Sequence, residues 1–294
     1  MQRLNPLNDV AFTKSFGEKG CEKQLISLLN AILQRTGRNT ITSVDIIPHK
    51  TLLPETFSGK TSILDVHAGT ADGRRFIVEI QRQNEYNIER RTLFGWAKEY
   101  VRGIHAGQDY SELPDVVAIN ILDFTNLEAE DFHTSFHLWE DRERGLKLTD
   151  AVEIHFIEMP KFRKLAEKDL KDNRLHRWLS YLDEETPAKI LEEIMLTDPV
   201  IEEAKKMMDV IEQDDALYHS YTLYQMTLMR ELNVKRGARI EGQKEGLKEG
   251  LKEGLKEGRK EAFIEVARKM KDLGEEAEKI TAVTGLSAEE IGEL

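Results

Sequence analysis

The 294-residue sequence contains a single cysteine, Cys21. One thiol excludes an internal disulfide and any metal cluster built on cysteine. No run of about 18 apolar residues occurs, so no membrane-spanning helix is expected. The opening Met1-Gln2-Arg3-Leu4-Asn5-Pro6 lacks the apolar stretch of a signal peptide, and a cytoplasmic protein is the simplest reading. A basic excess is missing too, since the formal net charge is −12. That balance argues against a nucleic-acid-binding domain of the usual kind, but it is unevenly spread. Residues 1–112 carry 15 Lys+Arg against 13 Asp+Glu, residues 113–240 carry 17 against 27, and residues 241–294 carry 10 against 14. The acidity lies outside the first segment, where polyanion binding stays open.

Familiar catalytic signatures are also absent. Gly59-Lys60-Thr61 has the end of a phosphate loop, but Pro54 stands where its first glycine is required. His133 and His137 have helical metal spacing yet lie in a strand-like run, where four residues separate them by about 13 Å. Nothing has the pattern of a Ser/His/Asp nucleophile.

What is present is a pair of amphipathic strand-like runs. Ile63-Leu64-Asp65-Val66-His67-Ala68 and Phe76-Ile77-Val78-Glu79-Ile80-Gln81 each alternate apolar and polar positions with period two. Asp65, His67, Glu79 and Gln81 occupy the polar positions. If the runs pair, two carboxylates converge, and two hard oxygen ligands on a rigid sheet are what a Mg²⁺ site for phosphate chemistry requires. The link holds Gly69, Asp72 and Gly73, a hairpin signal. A two-residue Asp72-Gly73 turn would set apolar positions against polar ones, so an odd-length loop or a bulge is expected instead. The same pattern also suits an ordinary amphipathic hairpin with solvated acids.

The surrounding chain, 40% hydrophobic and 33% charged, reads as an α/β domain with a helical appendage. An Asn8/Asp9 cap opens a first helix, and Gln24 to Ile32 form a second. Ile41–Pro48 looks like a strand. Asn87–His105 is the clearest amphipathic helix, with Leu93, Trp96, Ala97, Tyr100 and Ile104 on one side and Arg91, Lys98 and Arg102 striping the other. Val116–Leu122 is apolar enough for an interior strand, and Phe132–Trp139 and Val152–Met159 add two more. From Lys161 the chain turns to acidic helices, and the expected divisions are 1–160, 161–240, 241–261 and 262–294.

Residues 241–261 repeat Glu-Gly-Xaa-Lys, with glycines at 242, 246, 250, 254 and 258 and leucines at 247, 251 and 255. Five helical glycines cost about 4–5 kcal/mol relative to alanine, so the segment is marginal unless it packs. A long, partly irregular helical arm from about Leu217 to Leu273 that promotes homodimerisation is one expectation, and a length-tolerant spacer is the other. Beyond it, Ile280 to Ile291 reads as helix, glycine stop at Gly285, serine cap at Ser287, and helix.

These features together resemble one family. Asn8-Asp9-Val10-Ala11-Phe12 with Phe16-Gly17, Asp65 with Glu79-Ile80-Gln81, Ala97-Lys98-Glu99-Tyr100, Gly107 to Leu113, and the Glu-Gly-Xaa-Lys tail are similar to the Rpn-type recombination-promoting nucleases, or PD-(D/E)XK nuclease family transposases. The resemblance runs over most of the chain. It implies a restriction-endonuclease-like core ordered α-β-β-β-α-β with a mixed sheet, and Mg²⁺-dependent DNA cleavage, with Mn²⁺ as a substitute. It also implies that Asp65, Glu79 and the Ile80 carbonyl hold the metal, that Gln81 positions the attacking water, and that Asp9 matches the place of an additional acid. Asp9 reads equally as a helix cap. Gln81 stands where the wider superfamily most often has lysine, which leaves the cation to carry more of the work. Arg91, Lys98 and Arg102 are candidates to track phosphates, or simply a solvated face. His67 is placed on the site face and is not assigned as a ligand. The other reading is a catalytically weak nuclease fold acting as an oligomeric interaction protein.

Overall fold

The structure, a computed structural model, describes residues 3–34, 40–47, 66–102, 104, 107, 109–143 and 145–294. Two helices open the chain, α1 (Asp9–Phe16) and α2 (Glu22–Leu33). Asn8, rather than Asp9, caps α1: its Oδ1 accepts from the N–H groups of Val10 and Ala11 at 2.9 and 3.4 Å. Strands β1 (Asp45–Ile47), β2 (Val66–Gly69) and β3 (Arg75–Gln81) follow, then α3 (Ile88–Arg102), β4 (Val116–Leu122), β5 (His133–Phe136) and β6 (Val152–Glu158). They form a six-stranded mixed sheet in the order β1-β2-β3-β4-β6-β5. Pairs β3–β4 and β4–β6 are parallel and the other three antiparallel. The α-β-β-β-α-β order implied by the resemblance is present.

Strands β4 and β6 are buried at every position, as parallel central strands covered on both faces must be. Val116–Leu122 has the bounds read from its composition. Two other runs are shorter than their apolar composition suggests. Asp45–Ile47 stands within 41–48, and His133–Phe136 within 132–139, where Trp139 makes only an isolated bridge to Lys147.

The β2–β3 register pairs Val66 with Val78 and Gly69 with Arg75. The loop is odd-length, as the face argument demands. The Gly73 N–H donates to the Thr70 carbonyl, the Thr70 N–H donates to the Arg74 carbonyl, and Gly73 has φ 89°. That left-handed glycine supplies the bulge that keeps apolar residues opposite apolar ones.

One face of the sheet presents Phe76, Val78, Val117, Ile119, Ile121 and Ile157 to the main core. Helices α1, α2, α5 (Arg174–Leu182), α6 (Ala188–Thr197) and α7 (Pro199–Gln213) contribute to that core, as does the short α4 (Met159–Arg163). At its centre Phe16 and Tyr181 each meet Trp178 edge to face, Phe12 packs tilted against Phe16, and the Trp178 indole donates to Ser27 Oγ at 3.0 Å. The helices after Lys161 thus pack into the same core as the first two. The opposite face carries a smaller cluster of Ala118, Leu122, Val152, Ile154 and Phe156 around Ile88 of α3.

Helix α8 (Asp215–Asp272) runs unbroken for 58 residues, through all five repeat glycines. The expected irregularity is not there. The chain divides into two compact units inside this helix, after Gln225. The second unit has its own small core of Ala267, Ile280, Leu286 and Ile291, contributed by α8, α9 (Ala277–Thr284), the following turn and α10 (Ala288–Gly292). Gly285 closes α9 at φ 73°, and Ser287 forms a capping box with Glu290, as the sequence predicts.

Candidate active site

Alternation along β3 sends Arg75, Ile77, Glu79 and Gln81 to the α3-covered face, with His67 of β2 paired to Ile77 beside them. Glu79 and Gln81 are only 7% and 8% exposed. Asp65, the expected partner carboxylate, lies outside the described residues. Glu79 faces Arg91 of α3, whose Nε is 2.7 Å from its Oε1. The Gln81 Oε1 is buried without a hydrogen-bond partner among the described residues. The Gln81 carbonyl accepts from the Asp123 N–H on the β4 side. The Ile80 carbonyl, one residue earlier in the same strand, therefore points to the β2 side. Together these are hard oxygen donors on a rigid strand, one of them an unspent buried acceptor, and that chemistry fits Mg²⁺. Among the described residues no group of three His, Cys, Asp or Glu could hold a metal ion, so a cation here would draw on more than them.

Asn120, a lone polar residue in β4, is registered opposite Glu79 on this face. Its Oδ1 accepts from Thr92 Oγ1 at 2.8 Å, and its Nδ2 donates to the His155 carbonyl at 3.0 Å. The pair ties α3 to the sheet immediately beside Glu79.

Helix α3 sits differently from its sequence expectation. The buried positions are Ile88, Thr92 and Glu99, whereas Leu93, Phe94 and Val101 are exposed. Trp96 is the member of the expected apolar stripe that joins the small cluster, with Tyr100 stacked on it. The helix has turned so that its basic stripe borders the sheet. Arg91 reaches Glu79, Arg102 reaches Glu99, and Lys98 stays exposed. Satisfying a buried carboxylate on each side decides that rotation, because an unpaired one would cost more than exposing a leucine.

Glu99 was not legible as a site residue. It is 2% exposed, with His67 Nδ1 at 3.3 Å, Arg102 Nη1 at 2.9 Å and Arg75 Nη1 at 4.0 Å. Burial pushes its carboxyl up, but the His67 hydrogen bond and the charges of Arg102, His67 and Arg75 outweigh that and hold it below the usual carboxylate range. Arg102 is three residues on in the same helix, a spacing that reads equally as a surface pair, and the other two partners come from β2 and β3, which no local spacing signals.

Asp9 lies in the first turn of α1 and accepts a hydrogen bond from Tyr224 of α8. On the sheet's other face, His133 Nε2 meets His155 Nδ1 at 2.9 Å, and His155 Nε2 meets Glu153 Oε1 at 2.8 Å. His137 lies 3.8 Å from Glu153. The two histidines set aside from the sequence thus converge on one strand, in a buried polar network away from Glu79.

No helix among the described residues is long and apolar enough to cross a membrane. No curated protein and no solved structure matches the chain. A family profile, PD-(D/E)XK nuclease family transposase, matches residues 6–232, which include every strand of the sheet and both Glu79 and Gln81. The protein belongs to the PD-(D/E)XK nuclease family transposases.

Proposed function

We propose that the chain is a Mg²⁺-dependent DNA endonuclease that hydrolyses phosphodiester bonds during recombination or transposition-like DNA processing. The observation that carries this is the placement of buried Glu79 and Gln81 side by side on one sheet face, with the Gln81 Oε1 unspent. Asp65, Glu79 and the Ile80 carbonyl would hold the cation. Mg²⁺ or Mn²⁺, when bound, would acidify a water and draw charge from the phosphate. Gln81 orients that water through Oε1, while its amide N–H donates to a phosphate oxygen. Glutamine adds no charge, so this site lacks the extra cation that a lysine would bring to the developing negative charge. Arg91 stands against Glu79 and is a permanent cation placed for that role. Asn120 and Thr92 keep α3, and hence Arg91, in register with β3.

Gln81 and the net charge of −12 favour a second reading, an oligomeric interaction protein on a weakened nuclease fold. Plasmid nicking separates the two. Purified protein nicks supercoiled plasmid with Mg²⁺ or Mn²⁺, and Asp65→Ala or Glu79→Ala abolishes the nicking. Equal activity in the variants would mean a contaminating nuclease and would sink the assignment.

We also infer that the C-terminal arm pairs with a second copy, which would give the enzyme one site for each DNA strand.

A further inference from the structure

Buried Glu99 is an expensive way to pack a helix on a sheet. A leucine there would fill the same space with no charge to compensate. What the carboxylate does instead is hold guanidinium groups. Arg75 opens β3 and Arg102 closes α3, each with a side chain 35% exposed. Arg102 spends one N–H on Glu99, and Arg75 Nη1 stays 4.0 Å away. An arginine has five N–H donors, so most of this fork chemistry is not spent on Glu99. His67 borders the same carboxylate. The cluster therefore presents more cation than anion, on the face that carries Glu79.

Its position is defined by the register. Arg75 lies four residues from Glu79 on one face of β3, about 13 Å along the strand. Helix α3 runs the opposite way, with Arg91 at Glu79 and Glu99 and Arg102 at the Arg75 end. Between them lies Gly95. At about 100° per residue it shares a flank with Ile88, Glu99 and Arg102. Nevertheless, among the described residues no atom beyond the helix's own backbone lies within 4 Å of where its Cβ would stand. Among the described residues the seam between α3 and the β2–β3 hairpin is thus open beside Gly95, with the arginine cluster at one end and the Arg91–Glu79 pair at the other.

We propose that this seam is a DNA-backbone track in which Arg75 and Arg102, held by Glu99, bind a phosphate neighbouring the scissile one. The proposal rests on the nuclease reading and adds binding residues to it. Arginine forks suit phosphate oxygens in paired N–H contacts, and an arginine already anchored loses less entropy on binding. Glu99 is a positioning residue here, since it acts through the two arginines.

The test is fluorescence anisotropy of the full chain with a short fluorescein-labelled DNA duplex, titrated at several salt concentrations with Ca²⁺ in place of Mg²⁺. Arg75→Gln and Arg102→Gln each lower the slope of log affinity against log salt by about 0.9, the signature of one lost phosphate contact. Gly95→Leu keeps every charge but fills the opening, and weakens binding about tenfold or more. Arg90→Gln, on the exposed side of α3, leaves binding within twofold of wild type. Circular dichroism melting confirms that each variant is folded. If wild type binds DNA while Arg75→Gln, Arg102→Gln and Gly95→Leu keep its affinity and slope, the track is wrong and the nuclease reading survives. If wild type binds no DNA, both fall.

Discussion

At the scale of single residues, the arrangement turns on which cation stands against Glu79. A carboxylate 7% exposed on a strand needs a counter-charge, and in the free protein Arg91 provides it. A divalent ion at the same oxygens would compete with that guanidinium. Arg91 is partly exposed, so solvent screens its side of the pair and its competition with the ion is set at about 1 kcal/mol. Replacing Arg91 by alanine should therefore tighten Mn²⁺ binding by up to about fivefold, read by isothermal titration calorimetry, while Glu79→Gln removes the binding. An Arg91→Ala protein that binds Mn²⁺ more weakly than wild type would show that the arginine supports the metal site instead of competing with it. Glu79 and Gln81 themselves were readable from the sequence, because period-two alternation leaves a strand's polar residues on one face. Asn120 was readable only as an oddity, a polar residue inside an otherwise apolar run, and its register with Glu79 comes from strand pairing.

At the scale of elements, the β2–β3 hairpin decides whether the site faces converge. A slip of one residue would turn Glu79 and Gln81 into the main core and expose Phe76, Val78 and Ile80. The turn that prevents the slip depends on Gly73 at φ 89°, a conformation costing an L-residue about 1–2 kcal/mol. Gly73→Ala should lower the stability of the folded chain by about that amount in urea unfolding, since only the backbone is at fault and no atom of the described residues lies within 4 Å of the added methyl. An unchanged midpoint would mean that the turn relaxes freely and does not hold the register. Helix α3 shows the opposite case. Its amphipathic pattern predicted a helix correctly, but the face it buries follows Glu99, Thr92 and their partners on the sheet rather than the apolar stripe. Helical periodicity records where apolar residues are. It does not record where a neighbouring strand places an arginine.

At the scale of the whole molecule, α8 needs a packing partner. Leu247, Leu251 and Leu255 are about two-thirds or more exposed, and among the described residues no atom beyond the helix's own backbone lies within 4 Å of a Cβ position at the repeat glycines. A helix with one glycine per turn gains little from propensity, so packing must supply what holds it. A second copy packed along the Leu/Gly side would do so, since small residues let backbones approach closely. Light scattering on the full chain and on a truncation ending at Arg239 tests this. The full chain should be dimeric and the truncated one monomeric. The same oligomeric state in both would leave the repeat as a spacer and remove the dimer argument.

The sequence by itself determined the elements and the site strand. Apolar runs of the right length made β4 and β6 interior strands, glycines placed the hairpin turn and the α9 stop, and alternation put Glu79 beside Gln81. These are local effects of backbone conformation and periodicity, which neighbouring residues dictate. Tertiary structure alone decided the pairing of Glu79 with Arg91, the rotation of α3, and the meeting of Glu99 with His67 and Arg75. It also decided the gathering of His133, His137, Glu153 and His155. Each of those depends on bringing distant segments together, where the cost of leaving a buried charge or imidazole without a partner outweighs the preference of any single helix or strand.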